Sequence, residues 1–249
     1  YKPVYAVKSL PGAVFEIRAA EDIYTLDGVM HYAKGEIVDT ITTGSDGVAS
    51  SKELYLGKYE IREITAPHGM VLNGTIQTVY LTNAGQEVAI TETADNLYNE
   101  RQKVKVSLSK VLEQNDLFGI GMNGELKNIT FGLYAKTDLV AGDGTVIQAG
   151  GLIEIVTFDD NGMATVSTDL PLGSYYLQER STDEHYILDD THYEFEFSYG
   201  SQESQVGEIS VNGGDPIKND LKYGMVSGCK VDEDGHVIAG AIFGLFRND

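Results

Sequence analysis

Polar and apolar residues alternate with a period of two through most of this chain. "KVKVSLSKV" (103–111), "TFGLYA" (130–135), "LIEIVTF" (152–158), "MATVST" (163–168), "SYYLQE" (174–179) and "HYEFEFSY" (192–199) alternate or are rich in β-branched and aromatic residues. That pattern predicts strands, each burying one face. Turn signals separate them: "SDG" at 45, "GDG" at 142, "DDNG" at 159, "NGG" at 212 and "DEDG" at 232. Short strands at regular spacing with such turns predict an all-β chain built as a β-sandwich. The best helix candidate is brief, "RAAEDIY" at 18–24, and "SYGSQESQVG" at 198–207 reads as a mobile surface turn.

The pattern also repeats. "GAVFEI" (12–17), "NITFGL" (128–133) and "GAIFGL" (240–245) are one motif three times. The interval from Phe15 to Glu63 equals the interval from Phe131 to Glu179. Two long segments that hold one distance are one fold unit used twice. The units are placed at 1–102 and 103–222, with the start of a third at 223–249. The third holds only a first hairpin, too short to fold alone, and is expected to lean on the second. The whole reads as a piece of a longer protein.

Certain polar residues break the apolar stripes. In "GKYEIREITAPHG", Tyr59, Ile61 and Glu63 share a face; in "GSYYLQER", Tyr175, Leu177 and Glu179 do. Val104, Val106, Leu108 and Lys110 share another, and Ile217 shares one with Asn219. The second unit thus offers an inward lysine, glutamate and asparagine. Asn99 precedes Lys110 by the same interval as Asn219 precedes Lys230, so Asn99 closes the first unit and Lys230 opens the third. Lys2 stands as far before Phe15 as Lys230 stands before Phe243. That favours Lys2 as the lysine of the first unit, with Lys8 or an upstream residue as alternatives. Asn96 and Asp220 are alternative acceptors.

Two readings of such a trio stand side by side. One is a buried salt bridge with a hydrogen-bonded amide. The other is reactive. A desolvated lysine loses its proton more easily and becomes a nucleophile. A buried glutamic acid can polarise the asparagine carbonyl and carry protons to departing ammonia. The product is a Lys–Asn isopeptide bond, made once per molecule, so the chain is no enzyme in the turnover sense.

Composition narrows the alternatives. The net charge is −20, from 38 acidic and 18 basic residues, which argues against nucleic acid and anionic membranes as partners. One cysteine, Cys229, excludes an internal disulfide and a cysteine-rich zinc site. No apolar run is long enough to span a bilayer, and neither a signal pattern nor a sorting tail is evident. "GIGMNG" (119–124) matches a dinucleotide fingerprint in letters only, because β-type sequence follows it. "DDNG" and "DEDG" lack the distal glutamate of a calcium loop. The five histidines show no metal-ligand spacing. No cofactor or metal is expected.

Taken together, "GAxFxL" after a lysine-bearing strand, "G-x-Y-x-[IL]-x-E" with "TAPHGM", and the closing "LYNERQKV" and "IKNDLKYG" resemble the CnaB/SpaA-type repeat of Gram-positive surface proteins and pilins. The resemblance implies tandem transthyretin-like or inverse immunoglobulin-type β-sandwiches. It implies cross-links between Lys110 and Asn219, assisted by Glu179, and between Lys2 and Asn99, assisted by Glu63, with Lys230 the lysine of the third unit. The implied role is that of stalk domains in a monomeric, cell-wall-attached extracellular adhesin or pilin-like protein. Its partners would be neighbouring repeats of the same chain. The alternative is a module that binds host protein or glycan through some of its fifteen tyrosines. A hydrolase carrying accessory sandwiches finds no motif here.

Overall fold

The computed structural model describes residues 1–85 and 96–246. Among these, the helical segments are two four-residue 3-10 turns, Glu125–Asn128 and Val211–Gly214. The first repeat contains β1 (Val14–Ala19), β2 (Ile23–Tyr24), β3 (Met30–Tyr32), β4 (Ile37–Thr42), β5 (Gly57–Thr65) and β6 (Gln77–Leu81). The second contains β7 (Lys103–Leu112), β8 (Thr130–Ala135), β9 (Leu139–Val140), β10 (Val146–Ile147), β11 (Leu152–Thr157), β12 (Met163–Thr165), β13 (Gly173–Ser181), β14 (Tyr193–Phe197), β15 (Val206–Ser210) and β16 (Ile217–Asn219).

The internal repetition is a repetition of pairing. One sheet runs β4-β1-β5-β6 and the other β11-β8-β13-β14. Phe15 lies opposite Glu63 across β1 and β5, and Phe131 lies opposite Glu179 across β8 and β13. Ala19 faces Tyr59 as Ala135 faces Tyr175. Both tyrosine hydroxyls donate to a carbonyl four residues back, Tyr55 and Pro171, at 2.6 Å.

The second repeat adds a second layer. β7 sits beside β12 and β15, and β16 also pairs with it. β15 and β16 both run parallel to β7, the first along Lys103–Ser107 and the second along Lys110–Leu112. Val106, Leu108 and Ile217 from this layer meet Phe131, Leu133, Tyr175 and Leu177 from the other in one core. Each such side chain contributes roughly 1.5–3 kcal/mol on burial. The first repeat has a smaller core of Ile17, Ala19, Ile23, Val38 and Tyr59. Among the described residues no equivalent of the β7 layer covers it.

Three expectations are corrected. Residues 18–24 form no helix: β1 runs through Ala19 and β2 begins at Ile23. The acidic residues between them hold neighbouring backbone instead. Asp22 accepts the Lys34 N–H at 2.8 Å and Glu21 accepts that of Lys58 at 3.2 Å. The turn at 198–207 is pinned, not free, by contacts developed below. The third segment does not lean on the second repeat. Its hairpin closes at Val231 and Val237, yet residues 223–246 are exposed throughout. The second repeat's core is already closed by its own strands, so the hairpin's apolar face finds no partner there. Attachment is confined to the base, where Lys222 N–H donates to His185 O and Tyr223 OH to Glu113.

Candidate functional site

Lys110, Glu179 and Asn219 converge at one end of the second repeat's core. Alternation along β7 turns Lys110 to the side of Val106 and Leu108, and the same rule turns Glu179 inward with Tyr175 and Leu177. Exposures are 1% for Lys110, 3% for Glu179 and 1% for Asn219. Lys110 Nζ stands 3.3 Å from Glu179 Oε1 and also donates to Asn219 Oδ1. Asn219 Nδ2 faces both carboxylate oxygens, at 3.0 and 2.9 Å. The Phe131 ring covers the ammonium at 5.4 Å. Burial pushes the Lys110 pKa down, and the adjacent Glu179 charge opposes that shift.

The surrounding loop completes the site with residues that period-two reasoning does not reach. Thr182 Oγ1 and Ile187 O both lie 3.0 Å from Asn219 Nδ2. The Asp189 N–H donates to Glu179 Oε2 at 2.7 Å, and the Asp189 carboxylate accepts from Tyr193 OH. One signal for this loop did exist. Asp189 follows Glu179 at the same interval as Asn73, whose N–H donates to Glu63 Oε2 at 2.7 Å, follows Glu63. The alternative acceptors lie elsewhere: Asn96 is exposed, and exposed Asp220 pairs with Lys218 at 2.6 Å.

Gly162 holds the backbone beneath the lysine. Its carbonyl accepts the Lys110 N–H at 2.7 Å. Its φ is +73°, and a Cβ there would stand 2.2 Å from the Lys110 carbonyl oxygen. A Gly162→Ala variant should lose about 1–3 kcal/mol to the strained φ alone, and more as β7 is pushed aside. Denaturant unfolding of that variant checks the loss.

The "GIGMNG" loop offers no phosphate cradle. The Gly121 and Asn123 N–H groups that would hold an anion donate to the Glu125 carboxylate at 2.9 and 2.7 Å. The "DEDG" carboxylate of Asp232 likewise accepts its own turn's Asp234 and His236 N–H groups.

The sequence profile of the SpaA prealbumin-like fold domain matches residues 5–95 and again 120–212. The chain belongs to that family. Its fold is shared with the TIE protein of Bacillus anthracis, at TM-score 0.53 and 19% identity over 96% of this chain and 39% of that one. The present chain therefore spans well under half of the TIE protein. Weaker likenesses include a C-terminal fragment of the pilus adhesin SpaC from Lactobacillus rhamnosus GG (13% identity, 87% and 91% of the two chains, TM-score 0.42). Another is GBS52, the minor pilin of Streptococcus agalactiae (15% identity, 90% and 88%, TM-score 0.33). No curated protein matches the chain.

The first SpaA-type repeat holds two thirds of the same site. Glu63 and Asn99 are 6% and 7% exposed, and Asn99 Nδ2 donates to Glu63 Oε2 at 2.7 Å. Glu63 Oε1 is buried and has no hydrogen-bond partner among the described residues. Lys2 does not reach it. Residues 1–10 form no strand; their first half lies against the second SpaA-type repeat, where the N-terminal amine donates to Leu152 O at 2.8 Å and Gly142 N–H to Val4 O at 2.7 Å, and Leu10 O returns to the first, accepting from Thr43 Oγ1. Lys2 is exposed in a groove with Tyr5, Ser167, Thr168 and Asp169. Lys8 is exposed as well, and Lys230 lies on the exposed third hairpin.

Proposed function

We propose that the second repeat cross-links itself through a Lys110–Asn219 isopeptide bond with Glu179 as the proton carrier. The enclosure of amine, carboxamide and carboxylate in one buried site carries this reading. Glu179 Oε1 takes a proton from the Lys110 ammonium. The neutral amine moves off Oδ1 onto the face of the carboxamide and forms the Nζ–Cγ bond. Glu179 then passes a proton to Nδ2, which it already faces through both oxygens. The Cγ–Nδ2 bond breaks, ammonia leaves, and the carboxylate recovers a proton from Nζ.

Charge burial supplies part of the driving force. Before reaction, an ammonium and a carboxylate sit out of water, where desolvation is costly. Afterwards the site holds a neutral amide and a neutral acid. Pre-positioning by β7, β13 and β16 removes most of the entropic barrier.

The biological role that follows is structural. Two SpaA-type repeats in tandem, with pilin and adhesin structures among their fold neighbours, are read as stalk domains of a surface adhesin or pilin-like protein, outside the cell and attached to its wall. The units are taken as 1–102 and 103–222, with a third begun at 223–249. The first repeat is poised for the same bond once a lysine, Lys2 or one preceding it, meets Glu63. The alternative is a ligand-binding role, for which exposed tyrosines such as Tyr24, Tyr80 and Tyr98 are available, whereas Tyr134, Tyr176 and His192 stack on one another at 4.9 and 4.3 Å. Intact mass tests the cross-link. The purified protein should weigh at least one ammonia less than its sequence, and peptide mapping should recover Lys110 joined to Asn219. A full sequence mass overturns the proposal.

A further inference from the structure

The loop between β14 and β15 belongs to both repeats. Gln202 Oε1 accepts the Ala66 N–H at 2.9 Å, and Gln202 Nε2 donates to Ile64 O at 3.2 Å. Its main-chain carbonyl accepts the Leu72 N–H at 2.9 Å. One glutamine thus brackets Thr65 at the end of β5 as an added strand residue would, just beyond Glu63. Tyr199 OH donates to Met70 O at 3.0 Å, and its ring packs on His68 with centroids 4.8 Å apart.

The linker between repeats grips the same loop from the other side. Gln102 is 3% exposed. Its Oε1 accepts the Gly200 N–H at 2.9 Å, while Nε2 donates to Ser204 O at 2.8 Å and Ser201 O at 3.3 Å. Donor and acceptor are both used, so only a carboxamide fits. The backbone on either side is tied in as well: Gln102 N–H to Gly69 O at 3.0 Å and Lys103 N–H to Gln205 O at 2.9 Å.

The next linker supplies a contrast. Lys222 follows Asn219 at the same offset as Gln102 follows Asn99. The backbone bonds recur, with Ile187 N–H to Asp220 O at 2.9 Å and Lys222 N–H to His185 O at 2.8 Å, matching Val71 to Glu100 and Gln102 to Gly69. The side chain does not. Lys222 is exposed and donates to Glu184 O, and an ammonium has no lone pair with which to accept an N–H.

We propose that Gln102 and Gln202 form an inter-repeat lock, so that the 198–205 loop is a docking surface for the preceding repeat and holds the two repeats in one orientation. The lock is independent of any isopeptide bond. Spin labels at Thr78 in β6 and Thr165 in β12, with Cys229 replaced by serine, report the inter-repeat distance distribution. Native-state hydrogen exchange reports the Ala66 amide. The unaltered protein should give one narrow distance peak. Gln202→Ala and Gln102→Lys should each broaden it and speed Ala66 exchange at least about fivefold, the loss of one net hydrogen bond. Protection of the Leu133 and Leu177 amides should stay unchanged, showing that the second repeat remains folded. Should Gln102→Lys disrupt folding, the partly exposed Gln202→Ala alone decides. A broad distribution in the unaltered protein, or unchanged width and Ala66 exchange in Gln202→Ala, overturns the lock.

Discussion

A Lys110→Ala variant should retain its full sequence mass, where the parent lacks an ammonia, and should melt roughly 15–25 °C lower. The proposed bond would join residues 109 apart in sequence, which already hydrogen-bond to one another. On the chain-entropy account of cross-links, closing a loop of that size constrains the unfolded chain by about 4.7 kcal/mol. For a domain of this size each kcal/mol moves the melting temperature by several degrees. Removing the lysine also strands Glu179 in the core, which adds to the loss. Asn219→Ala separates the two effects, because it removes the acceptor, along with the Asn219 Nδ2 hydrogen bonds, but keeps the Lys110–Glu179 pair. Calorimetry and intact mass on both variants check the argument. If the parent already shows full mass while Lys110→Ala is destabilised, the trio is a buried ion pair and nothing more.

Glu179→Gln should slow ammonia loss by about 10²–10⁴-fold, the usual contribution of a positioned acid–base group. The substitution keeps shape but removes the base that takes the Lys110 proton. It also spoils the local hydrogen bonding: with its oxygen at the Oε2 position the carboxamide still accepts from the Asp189 N–H and Asn219 Nδ2, but its NH2 then replaces Oε1 opposite Lys110 Nζ, donor against donor. The residual rate should carry a pH signature. Burial lowers the Lys110 pKa, and only the neutral amine attacks. The rate should therefore rise with pH up to that lowered pKa and level off above it. A mass time course of freshly refolded variant over several pH values reads both effects. A pH-independent rate equal to the parent's would remove Glu179 from the chemistry.

Much of this site was legible in the sequence because strand geometry has only two faces. Parity alone turned Lys110, Glu179 and Asn219 inward, and the interval shared by the two units foretold the matched Phe15–Glu63 and Phe131–Glu179 pairs. Loops obey no such rule. Thr182 and Ile187 reach the site through a path that no periodicity encodes, and Asp189 was signalled only by the repeated interval to Glu179. The polar text at 198–207 suggested mobility because composition reports what a segment could leave in water. It does not report whether Gln102 and Gln202 find complementary backbone. Lys2 shows the limit of spacing itself. Its distance to Phe15 matches that of Lys230 to Phe243, yet the chain beside it hydrogen-bonds to the second repeat and leaves Glu63 Oε1 with no partner among the described residues.

The parallel pairing of β16 with β7 has a mechanical meaning. A pull along the molecule would enter the second repeat at Lys103 and leave it just past Asn219. With Lys110 and Asn219 covalently joined, the load path crosses directly from one strand to its neighbour. Everything from Val111 to Lys218, including β8, β13 and the core between the layers, would then hang off that path as an unloaded loop. A stretched repeat of this design would carry the load only through the first part of β7, where Val106 and Leu108 anchor it in the core, and the opposite layer of that core would stay unloaded.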